Sequence, residues 1–377
     1  EFPTPFHHLP HNRRDLALLL DSLSIGRTSA LLPALADQLR HLGSGTGDLR
    51  PRALVLNLLP TQPEFALGAS LSRLALADLR TGLHALYHIL QPRHLLVVFD
   101  RHDAATWRTW KKVARQHLFP ADLRPLLNRY PQAHPTPLLR TLWGKRLQVD
   151  ALPSRFNRIV IDAVTPWAFG RYLRTKQPLT DRPVQVFVQG EGEGATGGSG
   201  ARLLMANVGE TVAAFAARYH LDLHGKQIIL NGMLAGIPGT PETVLTADTD
   251  ALSLRPFVPP EPSSPCISCG WCVDVCPTAL TPVRLMELNG RVPSGLEMAH
   301  GTGGPAAGAP GAALLRTSQA RESLHCIGCG LCSYVCPTRL PLTEETLALR
   351  QRVVAAGVSR PASPSAPPPT HPARGPA

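Results

Sequence analysis

Eight cysteines lie between positions 266 and 336, and the rest of the 377-residue chain has none. They form two runs of one pattern, C-x2-C-x2-C-x3-C-P. The first is Cys266, Cys269, Cys272 and Cys276, followed by Pro277; the second is Cys326, Cys329, Cys332 and Cys336, followed by Pro337. The offset is 60 residues, and Ile267/Ile327, Gly270/Gly330, Val275/Val335, Thr278/Thr338 and Leu280/Leu340 repeat with it, so the module is duplicated. Three thiols at this spacing wrap the backbone around one cubane, with Gly270, Gly328 and Gly330 permitting the tight path. The fourth Cys, read as opening a helix, is carried to the other cluster. This predicts one [4Fe–4S] cluster on Cys266, Cys269, Cys272 and Cys336, and a second on Cys326, Cys329, Cys332 and Cys276. Structural zinc sites use pairs of ligands separated by a longer loop, so zinc is the weaker reading. Trp271 and Tyr334 read as packing that shields the clusters, and His325 as a neighbour of the site and not a ligand.

Composition limits the other options. Net charge is 38 − 27 = +11, but 33 of the 38 basic residues are Arg, a bias that follows codon composition as readily as function. A solvated basic face is the plain reading, with an anionic membrane surface or acidic partner as the alternative. No run approaches 18 uncharged apolar residues, so no transmembrane span is expected. No signal peptide is visible. Clustered cysteines point to a metal site in a reducing compartment, since secreted disulfide proteins scatter theirs. No helicase, glycosylase or aromatic stacking motif supports a nucleic-acid partner.

The fold class reads as α/β plus α+β. Residues 1–150 alternate helical and strand patterns. Helices are expected over Arg14–Leu23, Ser29–Leu42, Ser70–Leu90 and Ala104–Gln116, and buried strands at Ala53–Leu58 and Leu95–Asp100. Residues 151–182 read as a connector with one helix near Pro166–Leu173. Residues 183–255 read as a small α+β unit, with strands at Val184–Val188, Ala201–Ala206 and Gln227–Leu230 and a helix at Thr211–Arg218. Its glycine-rich Gly190–Gly200 lacks the Lys and following helix of a phosphate loop and reads as a hairpin loop. The Pro-rich Pro256–Pro265 leads into a Cys domain over 256–356, with helices at Pro282–Leu288, Leu314–Leu324 and Thr343–Ala356. A low-complexity insertion at 300–313 reads as mobile, and the Pro-rich tail 357–377 as disordered.

The motifs CISCGWCVDVCP (266–277) and CIGCGLCSYVCPTRLPL (326–342) resemble those of the RnfC proteins of the Rnf electron-transport complex, an ion-translocating ferredoxin–NAD oxidoreductase. Upstream, Arg129–Gln132 (RYPQ), Leu138 to Arg146, Pro178–Arg182 (PLTDR) and Asn231–Gly236 (NGMLAG) follow that family's order. The resemblance implies a complex-I-flavoprotein-like α/β domain with FMN and NADH, a soluble-ligand-binding β-grasp (SLBB) domain and an α-helical two-cluster ferredoxin domain. It also implies membrane association through other subunits, on the cytoplasmic side of the bacterial inner membrane, and a ferredoxin-like or flavin-bearing electron partner. A family glycine-rich loop ends in Phe-Pro-Thr, matched here by Phe2-Pro3-Thr4 behind Glu1, so the chain reads as N-terminally truncated.

The departures concern the flavin and nucleotide pocket. The family pattern Asn-Gly-x-Glu-Cys-Glu-Pro keeps Asn57 and Pro63, but Pro60 and Gln62 stand at the acidic positions. The Lys after Phe-Pro-Thr is replaced by His, and a Gly-Gly-Glu-Lys-like segment by Ala133-His134-Pro135-Thr136. Such glycines let backbone approach phosphate and such carboxylates bind sugar or ring atoms, so their joint loss argues against FMN and NADH here. Asp100 keeps an acid at the end of the second strand and reads as a helix N-cap or loop residue. The leading reading is an electron-transfer subunit relaying electrons through two [4Fe–4S] clusters, with no catalytic side chain. The alternatives are a flavin-dependent NADH oxidoreductase subunit, an adaptor similar to cobalamin reductase, and a ligand-binding or assembly module with structural clusters.

Overall fold

The computed structural model describes residues 9–357, apart from 11, 26–28, 30, 43–49, 117–118, 146–151, 190–200, 260 and 293–311. The segment around Phe2, the glycine-rich run, most of the low-complexity insertion and the Pro-rich tail beyond Gly357 therefore lie outside the described residues.

Three short runs of apolar residues, ALVLN, LLVVF and RIVI, are buried on both faces, which is the signature of parallel strands covered from both sides. They form β1 (Ala53–Asn57), β2 (His94–Asp100) and β4 (Arg158–Ile161), joined by β3 (Ala121–Leu126) in the order β3-β2-β1-β4. All pairings are parallel. Helices α1 (Arg13–Ser22), α2 (Leu35–Arg40), α3 (Leu67–Leu74), α4 (Leu76–Leu90), α5 (Ala104–Arg115) and α7 (Val164–Thr175) contribute to the core on one face; α6 (Pro135–Trp143) covers the other.

Several sequence expectations change here. The helix expected over Ser29–Leu42 begins only at Leu35, since Pro33 blocks an earlier start. The single helix expected over Ser70–Leu90 is two, broken at Ala75 (φ −135°, ψ 35°). Residues expected to be a connector, 151–182, hold β4 and α7, both built into the α/β core. Asp103, not Asp100, caps α5, accepting from the backbone N–H of Ala105 and Thr106. Asp100 accepts from the His102 N–H at 2.9 Å.

Two devices hold this domain. Gln38 is fully buried and completes the open edge of β4: its Nε2 donates to the Val160 carbonyl (2.8 Å) and its Oε1 accepts from the Val160 N–H (2.9 Å). Helices α4 and α7 cross through Gly82 and Gly170. A Cβ on Gly82 would overlap the Pro166 carbonyl oxygen, and one on Gly170 the Asp78 carbonyl oxygen.

The next unit is a five-stranded sheet, β6-β5-β9-β7-β8. Its strands are β5 (Asp181–Val188), β6 (Arg202–Asn207), β7 (Lys226–Leu230), β8 (Ile237–Gly239) and β9 (Ala251–Pro256), packed on α8 (Val212–Arg218). β5 and β6 pair antiparallel across the undescribed glycine-rich run, while β5 and β9 run parallel. A buried ion pair, Arg182 to Asp250 at 2.8 Å, sits at the border with the α/β domain, and Ser29 Oγ donates to the same carboxylate at 3.0 Å.

The Cys domain is helical: α9 (Trp271–Asp274), α10 (Pro282–Arg291), α11 (Ala312–Leu315), α12 (Ser318–Glu322), α13 (Leu331–Val335) and α14 (Leu342–Ala355). The helix expected over Leu314–Leu324 is therefore α11, α12 and a 3-10 turn at Ser323–His325. Leu285 and Leu288 of α10 pack on Leu349 and Val353 of α14.

Gly82→Ala is expected to cost at least 1–3 kcal/mol of stability, because backbone, not a flexible side chain, opposes the added methyl. Chemical denaturation of the two proteins side by side measures it; an unchanged midpoint would refute the close crossing.

Candidate iron–sulfur site

The 60-residue repeat of the sequence is also a repeat of backbone conformation. Ser268, Gly270 and Ala279 have φ of 58°, 81° and 58°; their counterparts Gly328, Gly330 and Arg339 have 65°, 78° and 56°. Short helix α9 matches α13, and α10 matches α14. These left-handed residues turn amides inward: the Ser268 N–H reaches Cys266 Sγ and the Gly328 N–H reaches Cys326 Sγ, each at 3.4 Å. The threonine two residues past each fourth cysteine lies beside its sulfur, Thr278 to Cys276 at 3.5 Å and Thr338 to Cys336 at 3.3 Å. The fourth cysteines do not open helices as expected. Each follows a short helix, in the turn that precedes the next one.

Each fourth cysteine faces the other motif. Cys276, Cys326, Cys329 and Cys332 line one cavity, together with Leu280, Thr343 and Thr346. Burial pushes the Cys326 thiol up to about 11 and Cys329 up to about 12, and the proximity of Cys276 adds to both. Burial, with Cys276 again contributing, also raises Cys332. On the other side burial raises Cys272, with Cys269 and Cys336 as its charged neighbours. Cys336 is pushed up by its partial burial but is brought below its ordinary value overall, by the Thr338 hydroxyl and backbone amides.

This donor set fits iron–sulfur clusters. Buried thiols that raise one another's pKa need a cationic centre to become thiolates, and binding then releases their protons. Among the described residues, no three His, Cys, Asp or Glu side chains close on a point small enough for one metal ion. A zinc site with Zn–S near 2.3 Å would bring its sulfurs to within about 3.8 Å of one another. Sulfurs arranged around a cavity suit a larger centre.

The two ends of the site differ. Cys266 and Cys269 are exposed, whereas the second motif's cysteines are partly buried. Trp271 and Tyr334, expected to shield the clusters, are themselves exposed (54% and 71%), as is Ile267. His325 precedes Cys326 on the 3-10 turn and is exposed.

The second loop is buried because the other two domains meet it. Tyr130 Oη donates to the Cys329 carbonyl at 2.7 Å. Gln62 Nε2 donates to that same hydroxyl at 3.3 Å, and its Oε1 accepts from the Leu234 N–H at 3.3 Å. Glu64 accepts from the Met233 N–H at 3.1 Å. Gly330 lies so close to Leu234 that a Cβ would overlap its carbonyl oxygen. Arg350 Nη1 donates to the Cys326 carbonyl at 3.0 Å. Cysteine spacing does not point to Tyr130 or Arg350. Tyr130 did carry a signal, as part of the RYPQ run.

The departures from the flavin pattern acquire structural roles. Gln62 binds across the junction. Asn57 Nδ2 donates to the Ala133 carbonyl at 2.8 Å. His134 is the N-cap of α6, with Nδ1 accepting from the Thr136 N–H at 3.2 Å, and Pro135 at the first helical position has no N–H to offer. The amides that a phosphate would use at this helix start are thus capped or missing.

A family described as the 4Fe-4S dicluster domain matches residues 261–337. This bears out the two-cluster expectation. The resemblance stated from the motifs is also borne out. The chain is 26% identical over 252 residues to the RnfC component of the ion-translocating oxidoreductase complex of Salmonella enteritidis, covering 64% of this chain and 34% of that protein. It is 26% identical over 247 residues to the protein of the same name from Cronobacter sakazakii, covering 64% and 30%. The chain thus spans about a third of the length of the curated relatives it matches. Among solved structures, an NAD+-reducing [NiFe]-hydrogenase in the air-oxidized state shares the fold, with a TM-score of 0.52 and 14% identity over 96% of this chain and 70% of that one. No helix of the described residues is long and apolar enough to cross a membrane.

Burial, together with the nearby Arg350 cation, depresses the His134 pKa to about 4. The unfolded chain, with His near 6.5, takes up the proton first as pH falls, so stability is lost between about pH 6.5 and 4. The loss is of order 3 kcal/mol. Urea denaturation at pH 7 and 4.5 should show it in the wild type, and a smaller loss in His134→Asn, whose side chain can still cap. Equal pH dependence in both would contradict the buried neutral imidazole.

Proposed function

We propose that this chain is the iron–sulfur electron-transfer subunit of a membrane-associated, Rnf-like redox complex. Cys266, Cys269, Cys272 and Cys336 hold one [4Fe–4S] cluster, and Cys326, Cys329, Cys332 and Cys276 hold the other. The observation that carries this reading is the single cavity lined by Cys276 together with the three leading cysteines of the opposite motif. When bound, such clusters supply one-electron transfer between adjacent centres, which needs no acid–base or nucleophilic side chain. The chain's own residues wrap the clusters, aim amides at sulfur and exclude water from the second loop.

The five-stranded unit is read as the SLBB β-grasp domain, whose Asn231–Gly236 loop lies between the α/β domain and the second cysteine loop. The α/β domain serves as a scaffold for that junction instead of an FMN and NADH site, a reading supported by the roles of Gln62, His134 and Pro135. Other subunits hold the protein peripherally at the cytoplasmic face of the bacterial inner membrane, and a ferredoxin-like or flavin-bearing protein exchanges electrons with it.

The test is anaerobic absorption spectroscopy of the reconstituted protein with NADH and then with dithionite. The expected result is broad cluster absorption that dithionite bleaches and NADH leaves unchanged, with no flavin bands. Flavin bands that NADH bleaches would overturn the scaffold reading. Cys336→Ser and Cys276→Ser test the crossed ligand sets: Cys336→Ser should alter the spectrum of the same cluster as Cys269→Ser, and Cys276→Ser that of the same cluster as Cys329→Ser. Pairing within each motif would refute the crossing.

A further inference from the structure

The two cysteine loops repeat in backbone conformation but not in surroundings. At the first loop Cys266 and Cys269 are exposed. At the second, two carbonyls are held from outside: that of Cys329 by Tyr130 Oη at 2.7 Å, and that of Cys326 by Arg350 Nη1 at 3.0 Å. Tyr130 and Cys329 are 199 residues apart and belong to different domains. The phenol is in turn fixed by Gln62, which also binds the Leu234 N–H and so ties in the third domain.

Hydrogen bonding, local charge and solvent exposure set the potential of a thiolate-bound cluster. The loop's inward amides supply the first of these, as between the Gly328 N–H and Cys326 Sγ at 3.4 Å. A peptide unit is planar, so a donor that fixes the outward carbonyl also fixes the plane and its N–H. A donor on the carbonyl further polarises that amide, which strengthens its N–H as a donor. The Cys329–Gly330 peptide is held in this way on one side by Tyr130, and on the other by Leu234, whose carbonyl packs directly on Gly330.

We infer that Tyr130, held by Gln62, is a positioning residue for the second cluster: its hydroxyl fixes the Cys329 peptide and raises the reduction potential of that cluster relative to a loop without it. The inference rests on the proposed two-cluster reading. It distinguishes two loops that the sequence repeat makes alike, and it gives a role to a residue of the α/β domain that touches no sulfur.

The experiment is an EPR-monitored redox titration of the reconstituted wild type, Tyr130→Phe and Gln62→Leu. The second cluster is identified as the signal lost in Cys329→Ser. Tyr130→Phe keeps the ring and removes only the donor. The expected result is unchanged iron content, a second-cluster potential lowered by a three- to tenfold change in the one-electron equilibrium (tenfold is about 59 mV), and an unchanged first cluster. Gln62→Leu should shift the same cluster in the same direction by a smaller amount, and it decides the matter if Tyr130→Phe does not assemble. Unmoved potentials in variants with full iron content, or equal shifts of both clusters, would overturn the inference while leaving the two-cluster reading intact. A wild type that takes up no iron would instead overturn that reading, and the inference with it.

Discussion

The approach of Cys276 to Cys326, Cys329 and Cys332 is the contact on which the arrangement of the Cys domain depends. It requires the two halves of a duplicated module to face each other, so neither half can complete its own thiol set. The left-handed residues that recur at 60-residue spacing give each half the same path, and the Leu285, Leu288, Leu349 and Val353 core holds the halves together. Four thiols near one cavity are unfavourable as bare anions, as the raised pKa of Cys326 and Cys329 shows. A cationic cluster resolves that conflict, and its binding free energy becomes part of the domain's stability.

Around this duplicated unit the environment is asymmetric. The first loop, with Ile267 and Trp271, faces outward. The second is packed against both other domains through Tyr130, Gln62 and the Asn231–Gly236 loop. Residues that in the resembled family suit flavin and nucleotide are replaced here by residues that make internal contacts. His134 caps a helix, Pro135 removes an amide from its start, and Gln62 accepts from the neighbouring domain where a carboxylate would stand. A crevice at the carboxyl ends of parallel strands is the usual place for a ligand in such a sheet. In this chain that end of the α/β domain carries a protein–protein junction.

The cysteine pattern was fully legible because ligand spacing is a local constraint, and so were β1 and β2, whose apolar runs are buried on both faces. Strand β3 was not legible. Its sequence ADLRPL carries Arg124 and Pro125, which an edge strand tolerates and a central one would not. Strand β4 has only four residues, and its outer edge is completed by the side chain of Gln38, 122 positions earlier in the chain. The break at Ala75 is invisible to helical periodicity, since the apolar stripe continues across it. Exposure of Trp271 and Tyr334 ran against expectation because hydrophobicity alone does not say which side of a cluster loop faces its domain. The Tyr130–Cys329 contact is a tertiary one between residues with no shared periodicity, and no local rule reaches it.

The central claim is that two clusters lie side by side with crossed fourth ligands. Low-temperature EPR of the fully reduced, reconstituted protein tests it most directly. Two reduced clusters held in one small domain should give a spectrum broadened by magnetic interaction, accompanied by about eight iron per chain, and simplifying to one isolated signal in Cys329→Ser. Two sharp, non-interacting signals, or a protein that takes up zinc in place of iron, would contradict the account.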